Sequence, residues 1–195
     1  ERIFTELKKA IKGKNPKAIA PLINFGGLKF LNIKEFTKFD ILKKCNHNEN
    51  LCIFIFLYFS SLNVLETLSI LKSDNNLKSY CNYMLKLINK PLPDSKHKLK
   101  EILAVFPLEV VKDYFTLRNL VFKENPSNVQ LMLEEIFAKD EPYLISHLKI
   151  NGNDLKNSGI EITKIGSTLE TLRKLVSENP ENNKREILIE FIKIH

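Results

Sequence analysis

The segment LCIFIFLYF, residues 51–59, limits the fold more than any other part of the chain. Nine consecutive apolar residues fall far short of the roughly 20 needed to cross a bilayer. They must therefore be covered by protein on every side. Periodicity alone does not separate a buried strand from a buried helix in so short a run, and the β-branched and aromatic content leans towards a strand. The neighbouring sequences LNVLETLSILK and LKSYCNYMLKLINK lean the other way, because their apolar residues recur at helical spacing. We read residues 51–59 as a buried helix in an all-α fold. With 44% hydrophobic residues, the chain has enough apolar material to surround it.

The remaining sequence fits that reading. ERIFTELKKAIK places Ile3, Leu7, Ala10 and Ile11 on one helical face, with Lys8, Lys9 and Lys12 off it. KNPKAIAPLINFGG predicts a helix with Asn15 as N-cap and Pro16 at the first helical position, stopped by Gly26 and Gly27. Residues 28–47 carry no assignable pattern. Pro91 and Pro93 break the chain, and three helical patterns follow: SKHKLKEILAVF, LEVVKDYFTLRNLVF and NPSNVQLMLEEIFAK. The last has Asn125 as the expected cap and Pro126 at the first helical position. Pro142 ends the series. It marks an expected boundary between a larger helical body and a small C-terminal helical unit.

Charge is unevenly distributed. Residues 1–44 hold 11 Lys/Arg against 4 Asp/Glu, residues 45–144 hold 11 against 12, and residues 145–195 hold 8 against 7. The net excess of +7 lies in the first quarter. Such a region suits a polyanionic partner, nucleic acid first and acidic lipid second, although a solvated lysine-rich surface gives the same composition. Three cysteines, Cys45, Cys52 and Cys81, make no even disulfide framework, and no signal peptide is visible, so a reduced, cytoplasmic protein is expected. Position 1 is a glutamate inside a helical pattern, which leads us to expect a piece of a longer protein.

Few residues are arranged for chemistry. Cys45, His47 and Cys52 are three possible metal ligands within eight residues, but a tetrahedral zinc site wants four, and no second pair is evident. We expect no metal and no catalytic residue here. His97, His147 and His195 are expected in solvent, as is the acidic pair Glu134 and Glu135. No phosphate-cradling GxxxxGK[ST] or GxGxxG occurs. No two carboxylates are separated by a single intervening residue, whereas two-metal nucleotidyl transfer needs clustered carboxylates.

The stretch LKINGNDLKNSGI, residues 148–160, is distinctive. Asn151-Gly152 predicts a sharp turn in which both residues tolerate positive φ. Asn153 is then the expected cap of a short helix, with Asp154 favourable at its positive end and Gly159 in the left-handed position after it. Helix starts expose backbone N–H groups that suit phosphate oxygens, and Lys149 and Lys156 flank the unit. Further on, Ile165, Leu169, Leu172 and Val176 share a helical face. NKREILIEFI resembles a capping box, with Asn183 as cap and Glu186 three residues on.

Taken together, LKINGNDLKNSGIEITKIGSTLETLRKLVSENPENNKREILIEFIK resembles the C-terminal tail of bacterial class II tRNA nucleotidyltransferases, the family of CCA-adding enzymes and poly(A) polymerases. The matching elements are I-N-G-N-D-L at 150–155, G-I at 159–160, I-G at 165–166 and N-K-R-E-I-L at 183–188. Upstream, LKSDNNLKSYCNYMLKLINKPLP resembles the family's body and ERIFTELKKAI its neck. Ile162 stands about where the family often has glycine. The resemblance implies a neck remainder at 1–44, a body at 45–142 and a tail at 143–195. It implies a parent protein that adds CCA to tRNA 3′ ends, with Mg and CTP/ATP held by a catalytic head whose G-G-x-V-R-D, D-x-D and E-D-x-x-R motifs are absent from this chain. The implied partner is tRNA, held at its acceptor stem and elbow through the phosphate backbone. The expected RNA-binding residues are Lys149, Asn151, Gly152, Asn153, Lys156, Lys8, Lys9 and Lys12. A poly(A) polymerase fragment and a free-standing helical interaction module are the alternatives.

Overall fold

The computed structural model describes residues 2–194, so the readings placed on Glu1 and His195 lie outside the described residues. Among these residues there are twelve α-helices, five short 3-10 turns and no strand. One isolated antiparallel bridge joins Ile33 and Ser61. The chain forms two compact units, Glu1–Pro91 with Lys112–Asn125 and Leu92–Val111 with Pro126–His195.

The first unit contains α1 (Arg2–Lys12), α2 (Ala20–Asn24), α3 (Phe39–Cys45), α4 (Glu49–Ser60), α5 (Val64–Ile70), α6 (Asn75–Leu87) and residues 112–122 of α8 (Leu108–Phe122). Residues 51–57 of α4 are all buried, so the nine-residue apolar run is the central helix of this unit. Each fully buried Phe, Ile or Leu side chain there contributes about 1.5–3 kcal/mol relative to exposure. On α1, Leu7 and Ile11 are buried on the face that the sequence predicts, but Ile3 is half exposed and Phe4 is buried in its place. The larger Phe4 takes the inward position.

Polar side chains set several helix starts. Asn48, Asn63 and Asp74 each accept a hydrogen bond from the backbone N–H three residues on, at 3.0, 3.2 and 2.8 Å. Each such cap stabilises its helix by about 1 kcal/mol. Asn48 also donates to Asp113 at 2.7 Å, and Tyr80 donates to the other Asp113 oxygen at 2.7 Å, which ties α4, α6 and α8 together within this unit. Residues 28–47 build a 3-10 turn (Lys29–Leu31), a loop and α3, and contribute the buried side chains Leu28, Leu31, Ile33, Phe36, Phe39 and Leu42.

The second unit contains α7 (Lys96–Val105), residues 108–111 of α8, α9 (Ser127–Ala138), α10 (Gly152–Asn157), α11 (Ile165–Glu178) and α12 (Arg185–Ile194). Pro126 itself is the N-cap of α9, so the expected cap, Asn125, lies one residue before the observed capping position and Pro126 is not the first helical residue. Ile150, Leu155, Leu172, Val176, Leu188 and Ile192 form a buried cluster, with Ile165 and Leu169 packed against it. Beside this cluster lie buried charges. Arg173 is 4% exposed and forms paired bonds with both Glu101 and Glu170, at 2.7–2.9 Å. Lys100 is 1% exposed and bonds Glu141 at 2.7 Å and the Ser177 carbonyl at 3.1 Å. Burial alone would raise the Glu141 carboxyl, but hydrogen bonds from Lys100 and Lys96 outweigh it and hold the group below its ordinary value.

Candidate nucleic-acid interface

The short unit around 150–160 is anchored by two buried side chains, Ile150 and Leu155. Between them the backbone enters α10 through Asn151, not Asn153. The Asn151 carboxamide oxygen accepts from the N–H of Asn153 at 2.8 Å and of Asp154 at 3.3 Å, and Asp154 Oδ2 accepts from the Asn151 N–H at 2.8 Å. This reciprocal box satisfies the first donors of the helix internally. Asp154 also meets Arg185 at 2.6 Å. The hydrogen bond from the Asn151 N–H, followed by the one from Arg185, holds the Asp154 carboxyl below its ordinary value.

Gly152 is the first helical residue and does not have positive φ, which corrects the expected turn. Its small size has another cause. A Cβ at this position would stand 3.3 Å from the Ile165 side chain. Gly159 does take the left-handed conformation, with φ +87°, and ends α10 as the sequence predicts. Asn183 does not cap α12, which starts at Arg185. Its side chain instead accepts from the Lys149 N–H at 3.0 Å and donates to the His147 carbonyl at 2.9 Å, pinning the backbone that enters the unit. The capping box that the sequence placed on α12 is thus found on α10.

The expected RNA-binding residues sort by what already holds them. Asn151 is occupied by its cap, and Gly152 and Asn153 lie in the first turn of α10. Lys149 and Lys156 have exposed side chains and no ion pair among the described residues. The three lysines of α1 are all engaged. Lys8 and Lys12 share Glu49, at 3.1 and 2.9 Å, and Lys9 meets Glu6 at 3.0 Å. Lys12 first, then Lys8, holds the Glu49 carboxyl below its ordinary value against the effect of burial.

A second set of lysines in the basic quarter was not singled out from the sequence. Lys14, Lys17, Lys29, Lys34, Lys38, Lys43 and Lys44 are exposed and form no ion pair among the described residues. The signal was available, because no Asp or Glu lies between Glu6 and Glu35 while seven lysines do.

The Cys45 and Cys52 sulfurs lie 3.1 Å apart and are buried, whereas His47 is exposed. Among the described residues no group of three or more His, Cys, Asp or Glu is placed to hold a metal ion. His97 is more than a third exposed and stands 3.8 Å from Glu178. His147 is not in open solvent. It is half-buried, accepts from the Tyr143 N–H at 3.3 Å and packs edge-on against the Tyr143 ring. Glu135 is likewise not simply solvated, since it pairs with Lys96 at 2.6 Å. No described helix is long and apolar enough to cross a membrane.

The fold and these surfaces define an all-α chain with free cations on exposed faces. Compared with known proteins, it is similar to the CCA-adding enzyme of Staphylococcus haemolyticus (strain JCSC1435), with 30% identity over 208 aligned positions. The match takes in 99% of this chain and 50% of that protein, so the chain spans about half the length of the curated relative. No family model matches the sequence. No solved structure matches it.

Proposed function

We propose that this chain is the tRNA-holding region of a CCA-adding nucleotidyltransferase, with nucleotide addition performed by another part of the parent protein. The observation that carries the proposal is the 30% identity to a CCA-adding enzyme along 99% of the chain. The 150–160 unit supports it, because its internal bonding leaves Lys149 and Lys156 as exposed cations on a fixed backbone. The unpaired lysines of residues 14–44 supply further positive charge. Lysine ammonium groups meet phosphates without reading bases, which suits a protein that must accept many tRNAs by shape.

In this reading the partner is cytoplasmic tRNA, held at its acceptor stem and elbow. Mg and CTP/ATP belong to the catalytic part of the parent. Photo-crosslinking of tRNA to the 195-residue chain, followed by peptide mapping, tests the assignment. Crosslinks are expected in residues 14–44 and 148–160. A chain that crosslinks only in residues 51–91 would contradict it.

A further inference from the structure

Helix α2 ends at Asn24 with Phe25 as its C-cap, and the next residues form a tight, hydrogen-bonded tip. The Phe25 N–H bonds the Pro21 carbonyl at 2.9 Å, the Gly26 N–H bonds Ile23 at 2.9 Å, the Gly27 N–H bonds Leu22 at 2.8 Å, and the Lys29 N–H bonds Gly26 at 3.1 Å. Gly26 has φ +76°, which favours glycine. A Cβ there would stand 2.8 Å from the Lys29 side chain, so the lysine stem lies across the turn. Leu22 lies against Gly27 in the same way. The tip is thus held by its own backbone, yet it displays Phe25 at 90% exposure and Phe30 at 56%. Two exposed phenylalanines five residues apart, on a fixed turn, require an explanation that isolated surface apolar residues do not.

The charge of the sequence that carries them limits the partner. From residue 7 to residue 34 there are seven lysines and no carboxylate. Lys14, Lys17, Lys29 and Lys34 are exposed and form no ion pair among the described residues. Such a surface fits a polyanion. Exposed aromatic rings on such a surface suit either an acidic lipid, which takes rings into its apolar boundary, or a polyanion with flat π-faces of its own. Double-stranded RNA hides its base faces by stacking, whereas unpaired nucleotides present them.

We propose that the tip at residues 22–34 binds unpaired nucleotides of an RNA. Phe25 and Phe30 stack on bases, and Lys14, Lys17, Lys29 and Lys34 meet the phosphates. The choice of RNA as the polyanion rests on the function proposed above. Phenylalanine offers no hydrogen bond to a base edge, so binding is tolerant of sequence.

The test uses the full 195-residue chain and a single-stranded oligoribonucleotide of ten residues carrying 2-aminopurine, with a blunt RNA duplex and an intact tRNA as comparisons. The wild-type chain is expected to bind the single strand and quench the 2-aminopurine. Phe25→Ala should weaken that binding by about tenfold and reduce the quench, with thermal stability unchanged because the ring is exposed. Phe25→Trp should restore both. Duplex affinity should not change in either variant. Wild-type quenching by Phe25→Ala would overturn the proposal. Salt-dependent binding of tRNA with no binding of the single strand would overturn it while leaving the tRNA-holding function standing. Failure to bind either RNA would remove both readings. Phe25-dependent binding to phosphatidylserine vesicles in place of RNA would assign the tip to a lipid surface and overturn it as well.

Discussion

The ammonium of Lys12 lies 2.9 Å from the carboxylate of Glu49, a residue 37 positions away that also holds Lys8. Two of the most evident cations in the basic quarter are thus partly neutralised within the protein. The exposed lysines at 14, 17 and 29 are not. Replacing Lys14, Lys17 and Lys29 by alanine should weaken tRNA binding strongly and reduce the salt slope by about two to three units. The Lys8, Lys9 and Lys12 triple alanine variant should have less than half of that effect. Salt-dependent titrations of the two variants decide between them, and an equal loss in both would contradict the assignment.

The buried charges of the second unit lead to a pH prediction. Glu141 is held below its ordinary value, so its contribution to stability is fully present above the unfolded carboxylate range near 4.5. That contribution is lost as pH falls through the lower folded value. The melting temperature should therefore drop between pH 6 and pH 3, and Glu141→Gln should flatten part of that drop. At pH 7 the same variant should cost about 3–5 kcal/mol, because it leaves the buried Lys100 ammonium without its carboxylate. Lys100→Met should cost less, since Glu141 keeps Lys96 at 3.1 Å. The opposite order would show that the Lys100 ammonium, which also bonds the Ser177 carbonyl, matters more to this site than the Glu141 carboxylate.

Much of the fold is legible in the sequence because helical spacing and local caps are short-range signals. The apolar run at 51–59 had to be central, and α4 is. Gly159 had to follow a helix in the left-handed conformation, and it does. Two of the errors share one cause. Asn183 looks like a cap from its neighbours, but its side chain reaches backbone 34 and 36 residues away. Gly152 looks like a turn residue, but its size is set by Ile165, which only the folded tail brings close. Residues 28–47 carry no clear period because a 3-10 turn, a loop and a seven-residue helix each bury only one to three residues at a time. The candidate interface was half visible. Charge density can be counted along a chain, but which lysines already have a carboxylate depends on pairs such as Lys12 and Glu49.

The tail unit gives a third set of outcomes. Asn151→Ala removes the cap of α10 and should cost about 0.5–2 kcal/mol. Gly152→Ala should change stability by less than about 1 kcal/mol, because helix propensity favours alanine while the Ile165 side chain must give slightly. Chemical denaturation of both variants checks this. A larger loss for Gly152→Ala than for Asn151→Ala would mean that the approach to Ile165 is tighter than the structure indicates.

Nucleotide transfer provides a fourth. Two-metal phosphoryl chemistry needs carboxylates that hold metal ions at the reacting phosphates. The described residues offer no cluster for this. The chain incubated with labelled CTP or ATP, Mg²⁺ and a tRNA lacking its 3′ end should yield no extended product. Template-independent CMP or AMP addition by the pure chain would require a site that this account does not contain.

The central claim is that this chain holds tRNA through its phosphates. A titration of unmodified tRNA with the 195-residue chain at about 50 and 200 mM salt tests it most directly. The account predicts binding at the lower salt that falls at least tenfold at the higher, with further loss in the Lys149 and Lys156 double alanine variant. Absence of binding at low salt, or binding that ignores salt, would contradict it.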